Sequence, residues 1–213
     1  DCVILGAAAN RVRDRIDGTL RAADPPIPVS RVSIQEAPEG LEILVTLTLA
    51  SPPGPGTRAL AQAILSGDRE VVGVVGTWSP GPGGRPRFVT LAGRDFLTGE
   101  VDGDRLRVPA GAFFQPNVRG WSTLRRLVID LLDPRASERI LELYSGVGFF
   151  TLPVARRAAG VVAVEGLRAA VTAARDNLSR AGIENAQVVA REVSAAIADL
   201  FRDQEFDSVL LDP

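Results

Sequence analysis

Hydrophobic and polar positions follow two different rhythms along this chain of 213 residues. In the first half, short apolar stretches are separated by clusters of proline and glycine at residues 51–56 and 79–84. From about residue 121 onward, apolar runs of strand length alternate regularly with longer segments of helical period. The change of rhythm predicts two domains, which cover residues 1–117 and 118–213.

The first half has the pattern of an α+β unit built on an antiparallel sheet. Val12, Ile16 and Leu20 lie at helical spacing, whereas apolar residues alternate through residues 41–49. The Asp102-Gly103 pair is typical of the turn in a β-hairpin. The pattern predicts helices at residues 9–23 and 58–65, and strands at residues 32–34, 41–49, 71–77 and on both sides of the Asp-Gly turn.

The second half alternates strand and helix in the order typical of a parallel sheet that is covered on both faces. The predicted strands are residues 139–143, 161–165, 186–190 and 208–211, and the predicted helices are residues 121–132, 151–158, 167–181 and 194–201. Ligands of such sheets bind beyond the carboxyl ends of the strands. The functional residues are therefore expected at those ends.

A glycine-containing turn follows the first of these strands, in the run Tyr144-Ser145-Gly146-Val147-Gly148, with the acid Glu142 just before it. Glycines let a ligand approach the backbone closely, and the next helix presents its positive N-terminus. Thr151 occupies the place of the third glycine of a dinucleotide fingerprint, which disfavours a nicotinamide-dependent dehydrogenase. The turn therefore indicates a nucleoside ligand without pyrophosphate, although an ordinary tight turn has the same pattern.

Three acidic residues follow the later strands of this half. Glu165 ends the second strand, where its two oxygens can accept both ribose hydroxyls of an adenosine, or where it merely favours the next helix dipole. Glu192 follows the third strand, within reach of an adenine amino group, but a solvated loop charge fits it equally well. Asp212 ends the fourth strand and places a carboxylate between cofactor and substrate.

Residues 111–213 resemble the S-adenosylmethionine-dependent uracil-5 RNA methyltransferase family, which acts on 23S rRNA and tRNA. The matching pieces are Phe113-Phe114-Gln115-Pro116-Asn117, Tyr144-Ser145-Gly146-Val147-Gly148, Val164-Glu165-Gly166 and Leu211-Asp212-Pro213. The first piece is the discriminating one, because ordinary methyltransferases lack it ahead of the first strand.

The resemblance implies a Rossmann-like class I methyltransferase domain, partial and built on the parallel sheet, after an α+β central domain that faces RNA. It places Phe113 near the extruded base, where the alternative is a core phenylalanine. The cofactor-binding positions that it implies are Gln115, Tyr144, Gly146, Gly148, Phe149, Glu165, Glu192 and Asp212.

Two residues of the turn depart from the family pattern. Phe149 stands where the family has a small polar residue, so a side-chain hydrogen bond to the cofactor is not expected there. Ser145 replaces the usual cysteine.

The resemblance also implies a mechanism. A cysteine thiolate adds to carbon 6 of uracil, carbon 5 then attacks the methyl group, and a base removes the carbon-5 proton. In the family this cysteine and this base follow the Asp-Pro motif. We therefore expect no catalytic residue within the chain, which looks like a fragment truncated at both ends, and we expect it to be inactive by itself.

Cys2 falls where iron–sulfur members of the family carry one cluster cysteine. A [4Fe-4S] cluster needs four thiolates, so the resemblance implies further ligands upstream of the chain. An incidental or buried thiol is the alternative. Iron–sulfur members act on ribosomal RNA, and this similarity alone favours rRNA over tRNA.

The amino-acid composition excludes some classes of site and bears on where in the cell the protein acts. The 24 basic residues are all arginine, and no histidine is present. The absence of histidine excludes histidine-dependent triads and histidine-ligated zinc sites. The net charge of −2 does not indicate nucleic-acid binding. The pairs Arg125-Arg126 and Arg156-Arg157 are typical of solvated helix faces. A single cysteine, and no apolar run near the ~20 residues of a membrane span, predict a cytoplasmic protein without membrane association.

Two other functions remain open at this level. An amino-methyltransferase acting on a nucleic-acid base also carries an acid and prolines after its fourth strand, and the residues after Pro213 would discriminate. A non-catalytic RNA-binding protein that retains the fold would not bind S-adenosylmethionine.

Overall fold

The computed structural model describes residues 6–37, 42–81, 84 and 86–213. Cys2, the predicted cluster ligand, lies outside these residues. By its internal contacts the chain forms two compact units, Asp1–Thr98 and Gly99–Pro213. No helix within the described ranges is long and apolar enough to cross a membrane.

The first unit packs two helices against one face of a four-stranded sheet. Its elements are α1 (Ala7–Ala22), β1 (Val29–Glu36), β2 (Ile43–Leu49), α2 (Pro55–Ser66), β3 (Val71–Trp78) and β4 (Arg87–Gly93). The strands lie in the order β1-β2-β3-β4, and the outer pairs are antiparallel as expected. The central pair, β2 and β3, is parallel, because α2 returns the chain to the edge where β2 began.

The core of this unit follows from the alternation in β2. Ile43, Val45 and Leu47 share one face of the strand and are fully buried against α1 and α2. Strand β4 was not predicted, because proline and glycine precede it and its exposed residues interrupt the apolar pattern.

A β-hairpin connects to the second unit through β5 (Phe96–Val101) and β6 (Asp104–Pro109). Asp102 and Gly103 form its turn with φ values of 51° and 83°, the left-handed conformation that a two-residue hairpin turn requires. The two units divide at Gly99, earlier than the boundary predicted after residue 117. The physical reason is that β6 packs on the helix that follows the second strand of the parallel sheet.

The second unit is a parallel sheet between helices, as predicted. Its elements are α3 (Trp121–Leu132), β7 (Arg139–Leu143), α4 (Thr151–Ala155), β8 (Gly160–Glu165), α5 (Arg168–Arg180), β9 (Ala186–Ala190), α6 (Val193–Asp203) and β10 (Ser208–Leu211). All three pairings in the order β10-β7-β8-β9 are parallel.

Both faces of this sheet are apolar. Ile140 and Val161 belong to a core shared with α3, α4 and α5, whereas Leu141 and Val162 belong to a core shared with α6. The chain leaves β7 toward β8 on one side and returns at β10 on the other. The carboxyl ends of β7 and β10 therefore flank a topological switch point, where open α/β sheets bind ligands.

Candidate cofactor-binding site

The segment after β7, residues 144–150, is called here the glycine turn. Tyr144 adopts a left-handed φ of 60°, which is strained for a non-glycine residue, and its side chain is 45% exposed. Gly146 and Gly148 also have positive φ values, 55° and 88°. A Cβ at Gly146 would meet no atom within 4 Å, so open space lies beside this backbone. Such strain beside open space is typical of a ligand site.

Glu165 lies at the carboxyl end of β8 and connects two segments of this edge. One oxygen accepts the Gly146 N–H at 2.9 Å, and the other accepts the Leu167 N–H at 2.6 Å. A carboxylate has about four acceptor positions, so lone pairs remain for hydroxyl donors. The structure therefore brings Glu165 and the glycine turn together, as predicted from the sequence.

Glu192 lies at the N-terminus of α6, next to the same edge. Its carboxyl group lies against Gly166, because a Cβ added to Gly166 would come within 2.8 Å of that group. Glu192 is therefore close in space to the residue that follows Glu165. We call the edge formed by the glycine turn, Glu165, Glu192 and Asp212 the cofactor edge.

Gln115 reaches the cofactor edge from the segment before α3, and Phe113 lies two residues before it. Phe114 packs against Trp121 with ring centroids 4.5 Å apart, and the Trp121 indole N–H donates to the Gln115 carbonyl at 2.8 Å. These contacts fix the segment, and Phe113 is 73% exposed among the described residues. The Gln115 side chain donates to Asp212 at 3.2 Å, so two predicted positions 97 residues apart are in contact.

Phe149 is the predicted cofactor position whose side chain lies elsewhere. Its ring is 6% exposed and packs edge-on against Phe114 and Phe150, with centroids 5.4 Å and 4.8 Å away. An aromatic ring gains more from this core than from a polar edge. The geometry leaves only the backbone of Phe149 for a contact with the cofactor.

Three polar side chains in the glycine turn or next to it in sequence have a buried atom without a hydrogen-bond partner among the described residues. They are Glu142 through Oε2, Ser145 and Thr151. Burial raises the pKa of Glu142 to about 8, and the charge of Asp212 adds to the rise. The Thr151 hydroxyl lies near enough to act against this rise but does not form a well-aligned hydrogen bond.

Two other polar residues near the turn were missed by the sequence analysis. Arg125 is 2% exposed rather than solvated as predicted, because it shares the buried face of α3 with Trp121 and Ile129. Asn177 is 1% exposed on α5. A polar residue at the helical spacing of a buried face is the signal that could have found both.

The described residues include no group of three or more acidic or cysteine side chains arranged to hold a metal ion. The iron–sulfur ligand Cys2 stays a prediction. Two surface cavities of the second unit lie away from the cofactor edge, one between α5 and β9 and one at the amino ends of β7 and β8. Neither is lined by a residue predicted to bind the cofactor.

A parallel sheet with a glycine turn and an acid at its switch point is typical of nucleotide-binding α/β proteins. Within that class, the model of the tRNA (uracil-5-)-methyltransferase family matches residues 95–210, more than half of the chain. The chain belongs to this family.

Among curated proteins, the chain is similar to the 23S rRNA (uracil(1939)-C(5))-methyltransferase RlmD of Pseudomonas aeruginosa, with 42% identity over 104 residues. That alignment covers 48% of this chain and 23% of the relative. An uncharacterized RNA methyltransferase of Gloeobacter violaceus is 37% identical over 128 residues, which are 60% of this chain and 27% of the relative. The aligned part thus spans about a quarter of the length of these curated relatives.

Among solved structures, a Pyrococcus abyssi tRNA (uracil-54, C5)-methyltransferase in complex with S-adenosyl-L-homocysteine superposes with a TM-score of 0.61. It covers 85% of this chain and 43% of that chain at 22% identity, so the likeness shows the fold alone. Trm5b of the same organism has a TM-score of 0.53 at 18% identity, and covers 90% of this chain and 53% of that chain.

Proposed function

We propose that this chain is the S-adenosylmethionine-binding part of an enzyme that methylates carbon 5 of uridine in RNA, with ribosomal RNA as the substrate. The observation that carries the proposal is the cofactor edge itself. There the N–H of Gly146 meets Glu165, while Gln115 meets Asp212 on the neighbouring strand. These are positions that the family resemblance gives to the cofactor.

The residues at the cofactor edge fit a nucleoside cofactor with a cationic sulfur. The open space beside Gly146 admits a ligand against the backbone, and Glu165 offers free acceptor positions for ribose hydroxyls. Glu192 is an exposed acceptor at the same edge, which we assign to the adenine amino group. Tyr144, half exposed at the start of the turn, contributes an aromatic surface.

The substrate proposal rests on Phe113 and on the curated relatives. Phe113 lies two residues before Gln115, which contacts Asp212, and an aromatic ring that is 73% exposed is suited to stack on an extruded base. The curated relatives with about 40% identity are named for methylation of 23S rRNA, which favours rRNA over tRNA.

When bound, S-adenosylmethionine supplies the methyl group for the reaction. The residues of this chain bind and orient: Glu165 and the glycine turn hold the cofactor, and Phe113 holds the base in position for transfer. In the family that this chain resembles, the nucleophilic cysteine and the general base follow the Asp-Pro motif. We therefore expect these 213 residues to bind the cofactor without transferring its methyl group to RNA.

Isothermal titration with S-adenosylmethionine tests the cofactor assignment through two neighbouring glycines. Gly146→Ala should abolish or strongly weaken binding at a stability cost of about 1–2 kcal/mol, because its Cβ enters the open space and the φ value is unfavourable. Gly148→Ala should destabilise more, since its Cβ would lie 3.1 Å from Leu152. Unchanged affinity in folded Gly146→Ala, or no binding by the wild type, would refute the assignment.

Fluorescence anisotropy separates the two RNA classes. The chain should bind a uridine-containing hairpin of 23S rRNA more tightly than a tRNA arm of equal length, measured at one salt concentration because phosphate contacts depend on salt. Equal or reversed affinities would remove the preference for rRNA.

A further inference from the structure

Two buried side chains contact the carbonyl groups of the glycine turn from the side of the protein core. The amide of Asn177 donates to the Val147 carbonyl at 2.9 Å, and Nε of Arg125 donates to the Phe149 carbonyl at 2.8 Å. Both side chains are at most 2% exposed. Among the described residues, these two carbonyls accept no hydrogen bond from a neighbouring strand, because the turn lies beyond the end of β7.

Asn177 also binds the strand β6 of the hairpin. Its Oδ1 accepts the Arg107 N–H at 2.8 Å, and its amide group donates to the Arg107 carbonyl at 3.1 Å. The side chain thus makes three hydrogen bonds, which join α5, β6 and the glycine turn at one buried point.

Arg125 makes a parallel connection from α3. One of its terminal nitrogens donates to the Val101 carbonyl at 3.1 Å and to Asp104 at 2.8 Å. Its guanidinium carbon also lies 4.9 Å from the centre of the Phe149 ring. The hairpin and the glycine turn are therefore joined twice, by an asparagine and by an arginine.

A purely structural role explains only part of this arrangement. Burying an arginine and an asparagine costs free energy, and apolar residues would attach the hairpin to α3 and α5 without that cost. Apolar residues could not, however, donate hydrogen bonds to the carbonyls of the turn. What the polar side chains add is control over the turn backbone.

The contacted carbonyls belong to the Val147–Gly148 peptide and to the Phe149–Phe150 peptide, so together they bracket Gly148 and Phe149. Each peptide is planar, so a fixed carbonyl also fixes the direction of the next N–H. Gly148, with φ of 88°, has the larger backbone freedom of these two residues, and that freedom would be lost on ligand binding. Fixing it beforehand removes an entropic cost from the binding step.

We propose that Asn177 and Arg125 are positioning residues for the cofactor, which hold the glycine turn in its binding conformation through the carbonyls of Val147 and Phe149. The inference rests on the proposed function for the identity of the ligand. The geometry of the turn without ligand tests it separately.

The first test compares two asparagines of the same unit. Asn177→Ala should weaken the binding of S-adenosylmethionine about tenfold. The affinity is measured by titration at a temperature where circular dichroism shows a folded protein. The control, Asn185→Ala, removes hydrogen bonds to the carbonyls of Ala155 and Ala158, at 2.8 Å and 3.0 Å, but contacts no atom of the turn. It should leave the affinity unchanged within about twofold.

The second test keeps a positive charge and serves if Asn177→Ala does not fold. Arg125→Lys retains an ion pair with Asp104 but loses the donor to Phe149, because lysine has no planar fork. Its control is Arg156→Lys, since Arg156 also pairs with Asp104 and makes no bond to the turn. Arg125→Lys should weaken the binding of S-adenosylmethionine by about fivefold to tenfold, whereas Arg156→Lys should not weaken it.

Amide resonances of Gly146 and Gly148, recorded without ligand, separate the two proposals. Both should shift or broaden in Asn177→Ala and stay in place in Asn185→Ala. If the wild type binds no S-adenosylmethionine but these resonances respond, the cofactor assignment fails and the positioning role stands. If folded Asn177→Ala and Arg125→Lys keep wild-type resonances and affinity, the positioning role is wrong.

Discussion

At the scale of single residues, Glu142 is the carboxyl group with the most unusual surroundings. It is 2% exposed within β7, and one of its oxygens has no hydrogen-bond partner among the described residues. Burial raises its pKa from 4.5 to about 8, the nearby charge of Asp212 adds to this, and the Thr151 hydroxyl and Arg125 oppose it. At neutral pH the group is therefore mostly protonated.

The protonation of Glu142 predicts a pH dependence of stability. The unfolded chain releases this proton near pH 4.5 and the folded chain near pH 8, so unfolding becomes easier as the pH rises between these values. Glu142→Gln removes the charge and keeps the shape. The free energy of unfolding of Glu142→Gln, minus that of the wild type, should therefore increase by a few kcal/mol between pH 5 and pH 8, which is the order expected for such a pKa shift.

Urea unfolding at several pH values measures this gain. The exposed Glu184 provides the control, because Glu184→Gln should give a curve parallel to that of the wild type. A constant difference between Glu142→Gln and the wild type across the range would show that Glu142 is ionised in the folded protein.

Two phenylalanines show where residue patterns reach their limit. Phe113 and Phe149 are each followed by a second phenylalanine and then by a polar residue. The structure exposes the first and buries the second, whose ring packs against those of Phe114 and Trp121. Because Trp121 belongs to α3, the burial of Phe149 depends on a contact with another element and not on the local sequence alone.

At the scale of elements, the hairpin β5–β6 is joined to α3, and to the residue that follows α4, through the buried carboxylate of Asp104. Asp104 is 2% exposed and pairs with Arg125 and Arg156. Burial acts to raise the pKa of Asp104, but the two guanidinium groups outweigh it and hold the pKa below its usual value of 3.8. The attachment therefore depends on the ionised carboxylate.

Removing this charge should loosen the hairpin. Asp104→Asn leaves the buried Arg125 with only the more distant Asp102, at 3.9 Å, as an anionic partner, which should cost about 3 kcal/mol in the free energy of unfolding at pH 7. The control, Asp14→Asn, breaks an exposed pair with Arg13 and should cost less than about 1 kcal/mol. The stabilisation by Asp104 is present above pH 3.8 and is lost as the pH falls through the lower folded pKa.

Chemical denaturation at pH 7 and at pH 3 checks both statements. The difference between the wild type and Asp104→Asn should shrink at pH 3. Equal stabilities at pH 7 would mean that the ion pair contributes nothing net.

At the scale of the whole molecule, the family match and the compact units agree. The family model begins at residue 95, and the second unit begins at Gly99. All described residues of the cofactor edge lie in this unit, together with Asn177, Arg125 and their hairpin partners. The first unit contributes no residue to the site as it is described above.

Residues 95–213 produced alone should therefore fold and bind S-adenosylmethionine with an affinity within about twofold of the whole chain. Circular dichroism reports folding, and isothermal titration reports the affinity. A folded but non-binding product would show that the first unit is required for the site.

The sequence alone determined the alternation of strands and helices in residues 118–213, the glycine turn and the acids at strand ends. These features depend on neighbours along the chain, through apolar period and backbone freedom. Tertiary structure decided that Arg125 and Asn177 are buried, that Gln115 meets Asp212, that β2 and β3 are parallel and that Glu142 is neutral. Those outcomes depend on which surfaces meet in space. Burial sets the free energy that it costs to ionise a group, and contacts between residues far apart in the chain decide which acceptor a hydrogen-bond donor finds.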